Sequence, residues 1–275
     1  MSQDDDKAAR FLALHSGPVP LLIPNPWDAG SARILASLGF QALATTSSGF
    51  AATLGRVDGS VTREEALAHG AAVAAATNLP VSADLENCFA DHSDGVAETV
   101  ELASHTGLAG CSVEDSTGNE DDPIYELGLA AERVAAAAAA AHTGPTRLVL
   151  TARSENYLHG RPDLADTIAR LQAFQAAGAD VLYAPGLTRL EDIRDVVGAV
   201  DAPVNVLALP GGPDVAGLAA LGVRRISVGG AFAYAAVAGL VDAAREFIGP
   251  GSLGFWDRAS IGGAAARAAF TADQG

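Results

Sequence analysis

Lysine is almost missing from this chain: Lys7 is the single lysine in 275 residues, and it falls in an acidic N-terminal stretch expected to be mobile. Aldolases and pyridoxal-phosphate enzymes that work through an imine need a buried lysine. A phosphate-binding P-loop needs Gly-Lys-Ser/Thr after a strand. All three are excluded. Cysteine is nearly as scarce, with only Cys88 and Cys111, too few for a disulfide framework and consistent with a reducing compartment. Cys88 follows acids that raise a thiol pKa, and Cys111 sits in a strand pattern, so neither reads as a nucleophile. Aromatic content is 5% against 49% hydrophobic residues, so the core is aliphatic. Bases are outnumbered 17 to 33, giving a net charge of −16 that repels nucleic acid and anionic lipid. No apolar run approaches the roughly 20 residues of a spanning helix. The Met1-Ser2-Gln3-Asp4 start lacks the apolar core of a signal peptide, so a cytoplasmic location is the expectation.

What is present is alternation. After a first helix near Asp6–His15, short β-branched runs and alanine-rich helical stretches alternate eight times. The strands are expected at Leu21–Pro24, Ala42–Thr46, Val81–Leu85, Gly110–Glu114, Arg147–Arg153, Val181–Ala184, Val204–Ala208 and Arg225–Val228. Gly178 and Gly222 read as helix C-caps leading into strands. Strict alternation argues for a parallel sheet, and eight units argue for closure into a (β/α)8 TIM barrel of the usual size, roughly 250 residues. The expectation is one barrel domain over 1–275, with an extra N-terminal helix and a C-terminal helical extension at 249–275. Within that extension, Ala259–Thr271 is helical by composition. Two long loops, Ser47–Thr62 and Ser116–Gly128, follow strand ends where barrels place lids.

The chemistry-bearing residues fall at the carboxyl ends of these strands, where barrels build active sites. Asp84 and Glu86, spaced i and i+2, would share one side of a strand, and Glu114 arrives from the next. Alone, any of the three could be a helix cap or a surface ion-pair partner. Together they form an all-oxygen set suited to Mg²⁺ or Mn²⁺, not zinc. Arg153 and Glu155 share a side of the fifth strand. Arg153 either neutralises the acids as a buried ion pair or grips a substrate carboxylate with its planar fork, with Glu155 orienting it. Ser47-Ser48-Gly49-Phe50 is either a flexible turn or a nest of backbone N–H groups for an anion. Asp28 is most simply a helix N-cap. The glycine-containing loops Leu209–Pro213 and Val228–Ala231 are either tight turns or a phosphate site. Of the histidines His92, His105, His142 and His159, only His159 is placed to overhang the mouth, and none has metal-ligand spacing.

These segments together resemble the isocitrate lyase/phosphoenolpyruvate mutase superfamily across nearly the whole chain. The likeness rests on Pro24-Asn25-Pro26-Trp27-Asp28-Ala29-Gly30, Thr45-Thr46-Ser47-Ser48-Gly49-Phe50 with Arg56-Val57-Asp58 downstream, Ser82-Ala83-Asp84-Leu85-Glu86, Ser112-Val113-Glu114-Asp115 and Thr151-Ala152-Arg153-Ser154-Glu155-Asn156. The resemblance implies a barrel whose eighth helix is exchanged between subunits of a homodimer or homotetramer. It also implies Mg²⁺ holding a small 2-oxo acid or dicarboxylate. By position it makes Asp84 the nearest metal ligand, with Glu86 and Glu114 acting through water. Ser48, Gly49 and Phe50 become the carboxylate-binding turn, Asp58 the acid that closes over substrate, Arg153 the substrate arginine, and Asn205 a polar group on the seventh strand. The lyases carry a cysteine loop after the fourth strand, but here Ser116–Tyr125 has neither cysteine nor lysine. Ala184-Pro185-Gly186 stands where the mutases have histidine and serine. The expected activity is a Mg²⁺-dependent lyase forming a metal-stabilised enolate, by C–C cleavage or decarboxylation. The alternatives are a C–P mutase or hydrolase of phosphonopyruvate-like substrates, and a 2-oxo-acid-binding protein without strong catalysis.

Overall fold

The computed structural model describes residues 3–271. Eight parallel strands are joined in the order β1-β8-β7-β6-β5-β4-β3-β2. They are β1 (Leu21–Ile23), β2 (Leu43–Ala44), β3 (Val81–Ala83), β4 (Gly110–Glu114), β5 (Val149–Arg153), β6 (Val181–Tyr183), β7 (Val204–Leu207) and β8 (Arg225–Ser227). All eight lie within the runs expected from the sequence. Between β1 and β2 the strand ladder is replaced by two hydrogen bonds. Ala44 N donates to Pro24 O at 3.1 Å, and Asn25 Nδ2 donates to Thr45 O at 3.0 Å. Asn25 Oδ1 also accepts Val228 N at 3.0 Å and Gly229 N at 2.9 Å. One asparagine thus ties β1, β2 and the end of β8, closing the barrel.

The helices begin where side-chain caps satisfy their free N–H groups. Helix α2 (Ala29–Ser37) starts on a reciprocal Asp28–Ser31 capping box, and α4 (Arg63–Ala75) on Thr62–Glu65. Gly178 and Gly222, at φ of +104° and +88°, turn the chain from helix to strand as expected. Helices α5 (Ser93–Ala103), α6 (Leu127–Thr143), α7 (Leu164–Ala176), α8 (Leu190–Ala199) and α9 (Val215–Ala220) cover the outside of the sheet. Their apolar faces bury Val96, Val100, Val134, Leu171, Phe174, Ile193 and Leu218 against it. Each such aliphatic or aromatic side chain is worth about 1.5–3 kcal/mol when fully removed from water.

Helix α1 (Gln3–Leu14) closes the amino-terminal end, where Phe11 sits among Leu21, Ile23, Ala109, Val149 and Val181. Lys7 is therefore not in a mobile tail: its Nζ donates to Thr77 O at 3.2 Å. The segment expected as the long loop Ser47–Thr62 opens with a further helix, α3 (Ser47–Thr53), whose N-cap Thr46 accepts from Gly49 N.

The eighth helix behaves unlike the others. Of the 18 residues of α10 (Ala231–Ile248), only Ala233 is buried. Val237, Leu240, Val241, Phe247 and Ile248 lie open to solvent. Helix α11 (Phe255–Thr271) then returns to the barrel, burying Ala269 and bringing Phe270 against Gly30 of α2. No helix of the described residues is long and apolar enough to cross a membrane.

Candidate active site

At the carboxyl ends of the strands lies a cavity of about 190 Å³. Its wall is built by Thr45–Ser48, Ser82, Asp84, Ser112, Arg153, Tyr183, Asn205, Arg225 and Ser227, with Asp58 at the rim. Strand register explains the gathering. Glu114, Arg153, Tyr183, Asn205 and Arg225 are successive neighbours across β4 to β8, and paired residues of a parallel sheet point to one face.

Arg153 is the hub. Its Nη1 lies 2.9 Å from Asp84 Oδ1, its Nη2 3.3 Å from Glu114 Oε2 and its Nε 2.8 Å from Glu155 Oε1. Burial disfavours the Arg153 charge, but Glu155, Glu114 and Asp84 outweigh it and raise the pKa well above the ordinary arginine value. Arg153 is thus a buried ion-pair centre, and it also lines the cavity. Glu155 is positioned in turn by its backbone N–H, which donates to Asp115 Oδ1 at 2.8 Å. The other Asp115 oxygen is paired with Arg170 at 3.1 Å.

Asp84 accepts from Ser47 N at 3.2 Å and from Ser112 Oγ at 3.4 Å, while its own N–H donates to Thr45 Oγ1. Strand β3 ends at Ala83, so the i,i+2 argument that placed Asp84 and Glu86 on one strand face fails. Glu86 lies in the following loop with φ of +50°, and Cys88 (+59°) and Phe89 (+56°) share that left-handed conformation. Non-glycine residues adopt it only where surroundings enforce it. The segment is held by Arg133 of α6, whose guanidinium donates to Asn87 O, Ala90 O and Glu114 O at 2.6, 2.9 and 3.0 Å, together with Thr99 Oγ1, which donates to Cys88 O at 2.8 Å. Glu86 still comes near Asp84. Burial first, then the charges of Asp84 and Asp58, push its pKa up to about 7. Glu114 is raised well above the carboxylate range by burial, opposed by Arg153 and reinforced by Glu155, Asp84 and Glu86.

Three carboxyl groups therefore pair with one guanidinium and Glu86 stands beside them, a crowding of acids in which Glu86 and Glu114 resist ionisation. A hard cation would relieve it, and the donors are all oxygen. Among the described residues no three acidic, histidine or cysteine side chains are already arranged as a direct ligand set, because Arg153 stands between Asp84 and Glu114. The arrangement fits a cation of the Mg²⁺ type held by one or two carboxylates with water completing its shell.

The remaining expected residues divide. Ser48, Asp58 and Asn205 line the cavity. Gly49 does not: a Cβ there would lie 2.6 Å from Thr46 Cγ2 and 3.2 Å from Ala233, so this glycine lets α3 seat against its neighbours. Phe50 turns away to stack on His69 at 3.9 Å. His159 is exposed and outside the lining. Cys88 is fully buried with its pKa pushed up to about 12, chiefly by burial. Tyr125 is committed to Asp91, 2.5 Å away. Sequence reasoning missed Tyr183 and Arg225, the former because it reads as strand core and the latter because it opens a strand.

Comparison with known proteins accords with this geometry. The family model described as phosphoenolpyruvate phosphomutase matches residues 11–248. A crystal structure from Burkholderia cenocepacia J2315, assigned provisionally as a lyase/mutase, is 53% identical with a TM-score of 0.90, covering 92% of this chain and 91% of that one. An uncharacterized protein of Mycobacterium tuberculosis H37Rv is 32% identical, over 80% of this chain and 81% of its own. The oxaloacetate decarboxylase of Chromohalobacter salexigens is 28% identical, over 86% of this chain and 83% of its own. Enzymes named as lyases and as mutases both occur among the matches. The chain belongs to the phosphoenolpyruvate mutase family within the isocitrate lyase/phosphoenolpyruvate mutase superfamily.

Proposed function

We propose that this protein is a divalent-metal-dependent carbon–carbon lyase acting on a small 2-oxo or 2-hydroxy dicarboxylic acid. The observation that carries the reading is the crowding of Asp84, Glu86, Glu114 and Glu155 around Arg153 at a small polar cavity. Asp84 would hold Mg²⁺ or Mn²⁺ directly, with Glu86 and Glu114 acting through water. When bound, the cation would polarise the 2-oxygen of the substrate and stabilise the negative charge developing there. The chain's own groups do the rest. The backbone and hydroxyls of Thr46–Ser48 orient a substrate carboxylate, and Arg153, fixed by three acids, presents charge along the wall without reorganising. Asp58, at the exposed rim, closes over the ligand. Cys88 is buried, Tyr125 is committed to Asp91 and His159 is off the cavity, so none of these three replaces the missing lyase acid. That favours the smaller task of decarboxylation over isocitrate cleavage, and the oxaloacetate decarboxylase relative supports the same choice.

The test is turnover of oxaloacetate, isocitrate, methylisocitrate and phosphonopyruvate at saturating Mg²⁺, with EDTA and Asp84→Ala as controls. Oxaloacetate should be the best substrate, EDTA should abolish activity, and borohydride should not. Robust isocitrate cleavage would overturn the reaction assignment, turnover of phosphonopyruvate alone would point to C–P chemistry, and tight binding without turnover would indicate a 2-oxo-acid-binding protein. We also infer that the apolar face of α10 packs on a second copy of the chain, as exchange of the eighth helix in a homodimer or homotetramer would require.

A further inference from the structure

Arg225 carries a charge that no acidic side chain of the described residues pairs with. It is 5% exposed and lines the cavity on the β7–β8 side. Its Nε donates to Asn205 Oδ1 at 2.9 Å and its Nη1 to Thr151 Oγ1 at 3.0 Å, both neutral acceptors. Two of the five guanidinium donors are thus used. The contrast with its neighbours is informative. Arg153 has three carboxylates and Arg170 has two, Asp115 and Asp166. Arg133 donates to three backbone carbonyls and lies over the Tyr125 ring. A buried guanidinium left with neutral acceptors is costly unless something else completes it.

Its surroundings are arranged to hold it in place. Asn205 donates through Nδ2 to Ser227 Oγ at 3.0 Å, which fixes the amide so that Oδ1 faces Arg225. Ser227 stands two residues along β8 from Arg225, on the same cavity-facing side. The cavity is therefore polarised, with the carboxylates on the β3–β4 side and, on the β7–β8 side, a cation that no acidic side chain of the described residues pairs with. Burial and nearby Arg153 lower the Arg225 pKa to about 10, so it remains charged at neutral pH.

We propose that Arg225, with Asn205 and Ser227 beside it, is an anion-binding subsite that takes one carboxylate of a dicarboxylic ligand and so selects dicarboxylates over monocarboxylates. The other carboxylate and the 2-oxygen are left for the Asp84 side, and in this the inference rests on the proposed function of the same cavity.

The experiment compares malate with lactate, which lacks the second carboxylate, by calorimetry in Mg²⁺, and adds malonate in EDTA to read the subsite without any metal. The parent should bind malate about ten-fold or more tightly than lactate, the scale of a charge-assisted bond. Arg225→Gln should erase that preference while lactate affinity holds, and Arg225→Lys, lacking the fork, should fall between. Asn205→Asp keeps the arginine but answers its charge from within the protein. It should abolish malonate binding in EDTA without lowering the melting temperature, which guards against a variant that merely misfolds. Retention of the malate preference in Arg225→Gln, equal loss of both acids, or no malonate binding by the parent overturns the subsite. Malonate binding that depends on Arg225, with no acid turned over in Mg²⁺, leaves the subsite standing and removes the lyase reading. Mg²⁺-dependent turnover with malate and lactate bound alike does the reverse.

Discussion

Replacing Arg133 by methionine removes a buried cation that holds three backbone carbonyls, those of Asn87, Ala90 and Glu114. A hydrogen bond to a charged group contributes about 1.5–3 kcal/mol, so three give roughly 4.5–9 kcal/mol before the arginine's own desolvation cost is subtracted. That cost is several kcal/mol for a buried ion, leaving a net loss of about 3–5 kcal/mol. With an m-value of about 3 kcal/mol/M, the urea midpoint should drop by roughly 1–1.7 M. The functional consequence is separate from stability. Glu86, Cys88 and Phe89 hold left-handed backbone conformations costing on the order of 1–3 kcal/mol each, and two of the clamped carbonyls, Asn87 and Ala90, belong to that segment. Without the clamp the segment relaxes and Glu86 leaves the neighbourhood of Asp84. Calorimetry of Mg²⁺-dependent oxalate binding should then show affinity reduced about ten-fold or more, even well below the urea transition. A midpoint shift under about 0.3 M together with unchanged oxalate affinity would refute the clamp.

His15 is buried, with its pKa lowered to about 3 by desolvation first and Arg225 second. A depressed histidine stays neutral in the fold while the unfolded chain takes up a proton, so its contribution is complete above pH 6.5 and is lost as pH falls toward 3. Between pH 7 and 5 the loss is about 2 kcal/mol, from linkage with an unfolded pKa near 6.5; His15→Asn, which keeps a donor for Phe11 O, should flatten that part of the urea-stability profile. Arg153→Lys cannot hold Asp84, Glu114 and Glu155 with one ammonium group, and should weaken oxalate binding about ten-fold or more by calorimetry; unchanged affinity would make the guanidinium geometry irrelevant. Leu240→Asp lies on the open face of α10, where a lone protomer would tolerate it within about 0.5 kcal/mol. Sedimentation should nevertheless show a shift toward monomer, and an unchanged distribution would remove α10 from the subunit contact.

The alternation of strands and helices was legible because each β-branched run is short and each helix has its own cap and period. The positions of Asp84, Glu114 and Arg153 followed from the same pattern, since a residue at a strand's carboxyl end is carried to the mouth, whereas Asn205, the second residue of β7, was singled out only by the family resemblance. Helix α3 was hidden because Ser-Ser-Gly has weak helical propensity, and only the Thr46 side chain bonding to Gly49 N starts it. Glu86 was placed near the site for the wrong reason, because a strand argument cannot anticipate three left-handed residues held in part by an arginine some 46 positions away. That arginine lies in an alanine-rich helix, where a charged residue reads as solvent-facing. Arg225 has no local signal either: it becomes a cavity residue only through its register with Asn205 and its reach to Thr151.

At the β1–β2 seam the barrel depends on one backbone bond and one side chain where every other strand pair has a ladder. Openings of a closed sheet start where the fewest bonds must break, so this seam sets the threshold for local breathing. The Ala44 amide should exchange with solvent faster than the strand amides of β4 and β5. Because Asn25 also restrains Val228 and Gly229, its release would free two walls together, the α3 side and the β8 side that bears Arg225. A ligand spanning from the Asp84 side to Arg225 would bridge the two walls, and in doing so would supply the missing rung between the first and second strands.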